Sequence, residues 1–143
     1  MVNRPQIITL TTKGYTPMTS SRPRAGEPIK YVPKGWGYEK WIANSEDYCG
    51  KLLYIVKDKK CSWHYHNKKD EVFYIQSGRI RICYGWTDSI EMATIATLER
   101  GDKFHVPVGM RHQMYALEDT ELFEFSTEHF DSDSIRVTPG DTL

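Results

Sequence analysis

From Lys51 onward the chain is a succession of short segments rich in β-branched and aromatic residues, each closed by a turn or a charged cluster, and this rhythm restricts the fold more than any other feature. The segments are KLLYIV from Lys51, SWHYH from Ser62, EVFYIQ from Glu71, RIRICY from Arg79, EMATIATL from Glu91, KFHV from Lys103, RHQMYAL from Arg111 and ELFEFS from Glu121. They recur about every 8 to 12 residues, the spacing of an all-β sandwich or barrel, and no window sustains a helical period. In RIRICY, Arg79, Arg81 and Cys83 alternate with Ile80, Ile82 and Tyr84, which predicts one polar and one apolar strand face. Upstream, Pro5, Pro17, Pro23, Pro28 and Pro33 with Gly14, Gly26, Gly35 and Gly37 argue against helix, so an extended arm with short strands and turns is expected. A chain of 143 residues fits one domain.

Nineteen Lys and Arg balance nineteen Asp and Glu, giving a formal net charge of zero. Nucleic acid and anionic membrane, which are bound through excess positive charge, are therefore not expected partners. Runs such as Lys68-Lys69-Asp70-Glu71 neutralise themselves, and no basic arm or acidic tail stands out. The start, MVNRPQIITLTTKGYTP, has no continuous apolar run, and the expected location is the cytoplasm. Cys49, Cys61 and Cys83 form no CxxC pair, which points to reduced, buried thiols.

His64 and His66 share one strand two residues apart and so project to the same face. A hairpin through Asn67-Lys68-Lys69-Asp70 would return the chain antiparallel and bring Glu71 beside them. Two imidazoles and a carboxylate on one side of a sheet are ligands for a divalent transition metal, and if that face is the inside of a barrel, a third imidazole from His112 would close the site. Asp70 is the alternative acid, one residue out of phase with Glu71 and hence on the other strand face.

The segment HYHNKKDEVFYIQSG, with His64, His66, Glu71 and Gly78, and the segment GDKFHVPVGMRH, with Gly101, Pro107, Gly109 and His112, resemble the two motifs of the cupin superfamily. The resemblance implies an all-β, double-stranded β-helix (jelly-roll) barrel with an N-terminal arm over residues 1–48, a metal-binding barrel over 49–127 and a C-terminal segment over 128–143. It also implies one metal ion, zinc, manganese, iron or nickel, held by His64, His66, Glu71 and His112. The flanks, Trp36-Gly37-Tyr38-Glu39, Ser62, Ser77 and STEHFDSDSIRVTPGD, resemble the cupin domain of type II phosphomannose isomerases and related sugar-nucleotide cupins. Those isomerases tend to carry Gln where this chain has His64.

That likeness implies a metal-dependent isomerase or epimerase of a sugar or sugar phosphate. The ion would polarise a carbonyl and its neighbouring hydroxyl while a base removes the proton between them. Glu124 and His105 are the candidate bases if their strands turn them inward. Alternation sends either Glu124 or its neighbours Phe123 and Phe125 into the interior, and burial of the two phenylalanines is the ordinary arrangement. Arg111, Lys103 and Arg136 are the candidate partners of an anionic substrate. A ferrous-iron dioxygenase and a noncatalytic carbohydrate-binding module are the competing readings. Because cupin arms commonly pair with a neighbouring subunit's sheet, a homodimer is expected.

Overall fold

The computed structural model describes residues 28–143; the earlier part of the expected arm, with Pro5, Pro17, Pro23, Gly14 and Gly26, lies outside the described residues. Eleven strands form: β1 Lys30–Lys34, β2 Gly37–Asn44, β3 Cys49–Ile55, β4 Trp63–Tyr65, β5 Glu71–Ser77, β6 Arg79–Gly85, β7 Thr94–Glu99, β8 Lys103–Val106, β9 Arg111–Ala116, β10 Thr120–Ser126 and β11 Ile135–Thr138. They build two antiparallel sheets, in the orders β1-β2-β3-β10-β5-β8 and β11-β4-β9-β6-β7. The architecture is an all-β jelly-roll, as the strand rhythm and the motifs imply.

The inner faces pack on one another through Leu53 and Ile55 of β3, Phe73 and Ile75 of β5, Ile80 and Ile82 of β6, Met114 and Ala116 of β9, and Leu122 of β10. The alternation of β6 is obeyed: Ile80 and Ile82 are buried while Arg79 and Arg81 are exposed. Removing an aliphatic side chain of this size from water contributes about 1.5–3 kcal/mol. Gly78, between β5 and β6, has φ +85° and abuts the Asp119 carbonyl, so a side chain at this turn would both strain the backbone and collide.

Two expectations are corrected. β1 and β2 are not an arm apart from the barrel. β2 pairs with β3 of the same chain from Gly37 opposite Ile55 to Asn44 opposite Cys49, and so belongs to the main sheet. The β1–β2 turn fits because Gly37, at φ +147°, lies against the Tyr54 carbonyl where no Cβ has room. Nor do β4 and β5 form a hairpin, because they belong to different sheets. Residues 67–70 instead carry the chain across the sandwich. The Asp133 carboxylate fastens this crossing by accepting the N–H groups of Asn67, Lys68 and Lys69 at 2.9–3.3 Å.

In the six-stranded sheet one inward row runs in register from edge to edge: Lys30, Trp41, Lys51, Glu124, Phe73 and Phe104. The next inward row is mostly apolar, with Val32, Glu39, Leu53, Leu122 and Ile75. The polar stretch of the first row, from Lys30 to Glu124, helps line a cavity of about 550 Å³.

Candidate metal centre

His64 on β4 and His112 on β9 are direct cross-strand partners, and His66 follows β4 on the same face. Their ligand nitrogens lie within 4.8 Å of one another. Glu71, the first residue of β5, approaches from the opposite sheet: its Oε1 is 2.9 Å from His112 Nε2 and 3.4 Å from His66 Nε2. His66, Glu71 and His112 are buried, and His64 is half-buried at the cavity wall. The four residues therefore meet across the sandwich and not on one sheet.

Each imidazole is oriented from behind. His66 Nδ1 meets the Asp133 carbonyl at 2.9 Å, His112 Nδ1 meets the Met110 carbonyl at 3.1 Å, and His64 Nδ1 meets the Ser62 carbonyl at 3.0 Å. A carbonyl only accepts, so each Nδ1 carries the proton and each Nε2 keeps a bare lone pair. His66 Nε2, His112 Nε2 and Glu71 Oε1 are buried and, close as they are, make no hydrogen bond. Three orphaned acceptors around one point are costly unless a cation sits among them. The donor set thus fits a divalent transition metal, with His64 as the fourth ligand.

The electrostatics agree. Burial holds His64 well below the usual imidazole value, helped by His112 and His66 beside it, so it stays neutral and able to ligate. Burial by itself would raise Glu71, but a proton offered by His112 or His66 when no metal is bound, together with the Lys69 ammonium, holds it well below the usual carboxylate range. Lys69 Nζ lies 3.1 Å from Glu71 Oε2 and 2.6 Å from Glu124 Oε1. Although burial opposes its charge, Glu124 and Glu71 push the lysine above its ordinary value.

Glu124 is buried on the cavity wall, which overturns the ordinary arrangement of β10: Leu122 and Glu124 turn inward and Phe125 outward. Arg136, opposite His64 on β11, also lines the cavity. His105, Lys103 and Arg111 do not, and for these three the expectation is corrected. Phe104 and Val106 take the inward positions of β8. His105 is thereby left outside in an exposed pair with Asp70 at 2.7 Å, and Lys103 is exposed beside it. His112 takes the inward position of β9, so Arg111 lies on the outer face against the Tyr65 ring, 3.7 Å from its centroid, and pairs with Asp88 at 2.9 Å. Asp70 is likewise outside, which leaves Glu71 as the inward acid.

Sequence reasoning did not find Lys69, Asp133, Lys51, Trp41 and Glu39. Nothing in the local sequence marks Lys69 or Lys51, and only their placement on a buried wall singles them out. Ser62 carried a signal through its likeness to the motif, and its Oγ lies 3.0 Å from His64 Nδ1.

Comparison with known proteins bears on this centre. The Cupin domain family matches residues 52–128. No curated protein matches the chain. Among solved structures, KdgF from Halomonas sp. is 20% identical with a TM-score of 0.58, covering 66% of this chain and 81% of that one. A variant of Bacillus subtilis oxalate decarboxylase is 17% identical with a TM-score of 0.66, covering 76% of this chain and 30% of that one. The capsular polysaccharide assembling protein CapF from Staphylococcus aureus is 19% identical with a TM-score of 0.67, covering 77% of this chain and 32% of that one. At such identities these likenesses speak for the fold, and the chain spans only about a third of the latter two proteins. The family match extends over more than half of the sequence and takes in His64, His66, Glu71 and His112, and on that ground this chain belongs to the cupin family.

Proposed function

We propose that this cupin is a metal-dependent isomerase or epimerase of a sugar or sugar phosphate, with His64, His66, Glu71 and His112 holding one divalent transition metal. The observation that carries the reading is the buried Lys69–Glu124 pair, which touches the ligand Glu71 on the wall of the same cavity. An isomerisation needs one group that takes a proton from carbon and returns it to the neighbouring carbon. Glu124 offers a carboxylate for this: Oε1 is held by Lys69 at 2.6 Å and by Ser126 Oγ at 3.3 Å, and Oε2 makes no hydrogen bond among the described residues. Lys69 pairs with both Glu124 and Glu71 and fixes their positions. The bound ion would supply Lewis-acid polarisation of the substrate oxygens. Leu53, Phe73 and Met114 line the same cavity and limit water around the reacting carbons.

CapF is named for capsular polysaccharide assembly and oxalate decarboxylase for its small-acid substrate, and a structure of the latter concerns its Mn(II) centres. These names support metal chemistry on a small oxygen-rich molecule. Among the described residues no helix is long and apolar enough to cross a membrane, and a cytoplasmic location remains part of the proposal, as does a homodimer. The outer face of the six-stranded sheet supports the dimer: Tyr31, Phe125 and Tyr74 stand exposed at 57%, 56% and 37%.

The test is elemental analysis of the purified protein followed by assay of the loaded form on a panel of aldose and ketose phosphates including mannose 6-phosphate. Stoichiometric metal with interconversion is expected. Metal-loaded protein inert toward the whole panel overturns the reading. Oxygen consumption by an iron-loaded sample would favour the dioxygenase instead.

A further inference from the structure

The wall of the cavity formed by β1, β2 and β3 carries a second polar cluster with no part in holding the metal. Lys51 is almost completely buried, its side chain 1% exposed, and points into the cavity. An ammonium so placed requires partners for its three N–H groups. The two carboxylates nearest it are committed elsewhere. Glu124, its register neighbour on β10, is bound to Lys69. Glu39 lies 3.8 Å away, beyond hydrogen-bonding distance, and accepts from Trp41 Nε1 at 2.8 Å while also facing Lys34 at 3.7 Å. Among the described residues Lys51 thus donates no hydrogen bond.

Two further cations, Lys30 and Arg136, line the same cavity. Lys30 and Lys51, in register with Trp41 from the strands on either side, stand 4.2 and 4.3 Å from the indole centroid. The ring takes up part of their charge through its face and spaces the two ammonium groups. Neither Lys30 nor Arg136 has a carboxylate within 4.0 Å among the described residues, and both line the cavity.

We infer that Lys51 and Lys30, set about Trp41, form an oxyanion subsite that takes the carboxylate or phosphate of the substrate while its reacting carbons lie toward Glu124 and the histidines. An oxyanion supplies the acceptors that Lys51 lacks and adds negative charge where two lysines share one neighbouring ring. The row order Lys30, Trp41, Lys51, Glu124 puts the anion at one end and the proton-transfer group next to it. The subsite deepens the proposed function and rests on it only for the sugar that bears the anion.

The experiment is calorimetric titration of glucose, glucose 6-phosphate and glucuronate into the full-length protein at low ionic strength, both metal-stripped and zinc-loaded, with Lys51→Met and Lys30→Met alongside. At least one of the two anions is expected to bind about tenfold or more tighter than glucose. Each variant is expected to weaken that anion by about fivefold or more and to leave glucose unchanged. The phosphate and the carboxylate arms show which oxyanion the subsite prefers. Equal binding of all three sugars, no binding of either anion, or an anion preference that survives both substitutions overturns the subsite. If Lys51→Met does not fold, Lys30→Met at the exposed edge strand decides the matter. Anion preference in metal-stripped protein, combined with no turnover after reloading, would sink the isomerase reading and leave the subsite standing.

Discussion

Glu124 on β10 and Lys51 on β3 face each other in register, yet it is Lys69, reaching in from the crossing between the sheets, that lies 2.6 Å from the Glu124 carboxylate. One lysine therefore neutralises two buried acids, Glu71 and Glu124, and the other is left for the cavity. Replacing Lys69 by Met uncovers both carboxylates. The expected cost is about 3–5 kcal/mol of stability in the metal-free protein, read by urea denaturation. A loss under about 1 kcal/mol would show that the pair is not buried as described.

Glu124→Gln keeps the shape and removes the proton acceptor. Turnover on whichever sugar phosphate proves active is expected to fall about 10²–10⁴-fold. Metal content by elemental analysis stays unchanged, because Glu124 is not a ligand. Unimpaired kcat would move the base elsewhere.

The orphaned nitrogens and carboxylate oxygen make metal binding a stability effect. Zinc at about a hundred times its Kd is expected to stabilise the protein by about 2.7 kcal/mol, seen as a rise in Tm. His112→Ala abolishes the rise. Asp133→Ala, which frees the crossing loop and disturbs the carbonyl behind His66, weakens metal binding by about 10–100-fold. An undiminished zinc response in His112→Ala contradicts the assignment of the centre.

Burial lowers His64 and His129 below the ordinary imidazole value of 6.5. Below that pH the unfolded chain binds protons that the folded one refuses, so the stability of metal-free protein falls as pH drops through about 6.5. Glu71, held below its ordinary 4.5, adds a second loss beneath that value, again because the unfolded chain is protonated first. Denaturation at a series of pH values in the presence of a chelator measures both. Stability that stays level from neutral pH to below 4.5 would contradict the burial of these groups.

His105→Ala and Lys103→Ala alter exposed residues on the outer faces and are expected to leave kcat unchanged and stability within about 0.5 kcal/mol, whereas Arg111→Ala leaves kcat unchanged but costs about 1 kcal/mol through its lost contacts with Tyr65 and Asp88. For the proposed dimer, Phe125→Asp on the exposed sheet face is expected to convert a dimeric mass in sedimentation to a monomeric one. A wild-type monomer at micromolar concentration refutes the dimer.

By itself the sequence determined the strand rhythm and the common face of His64 and His66, because side-chain direction alternates strictly along a strand, and it left Asp70 open as the alternative to Glu71. It also carried the motif spacing that adds His112. Parity could not say which of two faces is the inner one. For β10 and β8 only packing against the second sheet decided it, bringing Glu124 in and leaving His105 and Lys103 out. Nor does local pattern show that β4 and β5 part company at Asn67, since the interaction that prevents a hairpin comes from Asp133, far along the chain. Lys51, Trp41 and Lys69 are ordinary residues in sequence. Register across five strand pairings and a crossing between sheets places them on one buried wall, and in low-dielectric surroundings such placement turns unremarked charges into the groups that demand a ligand.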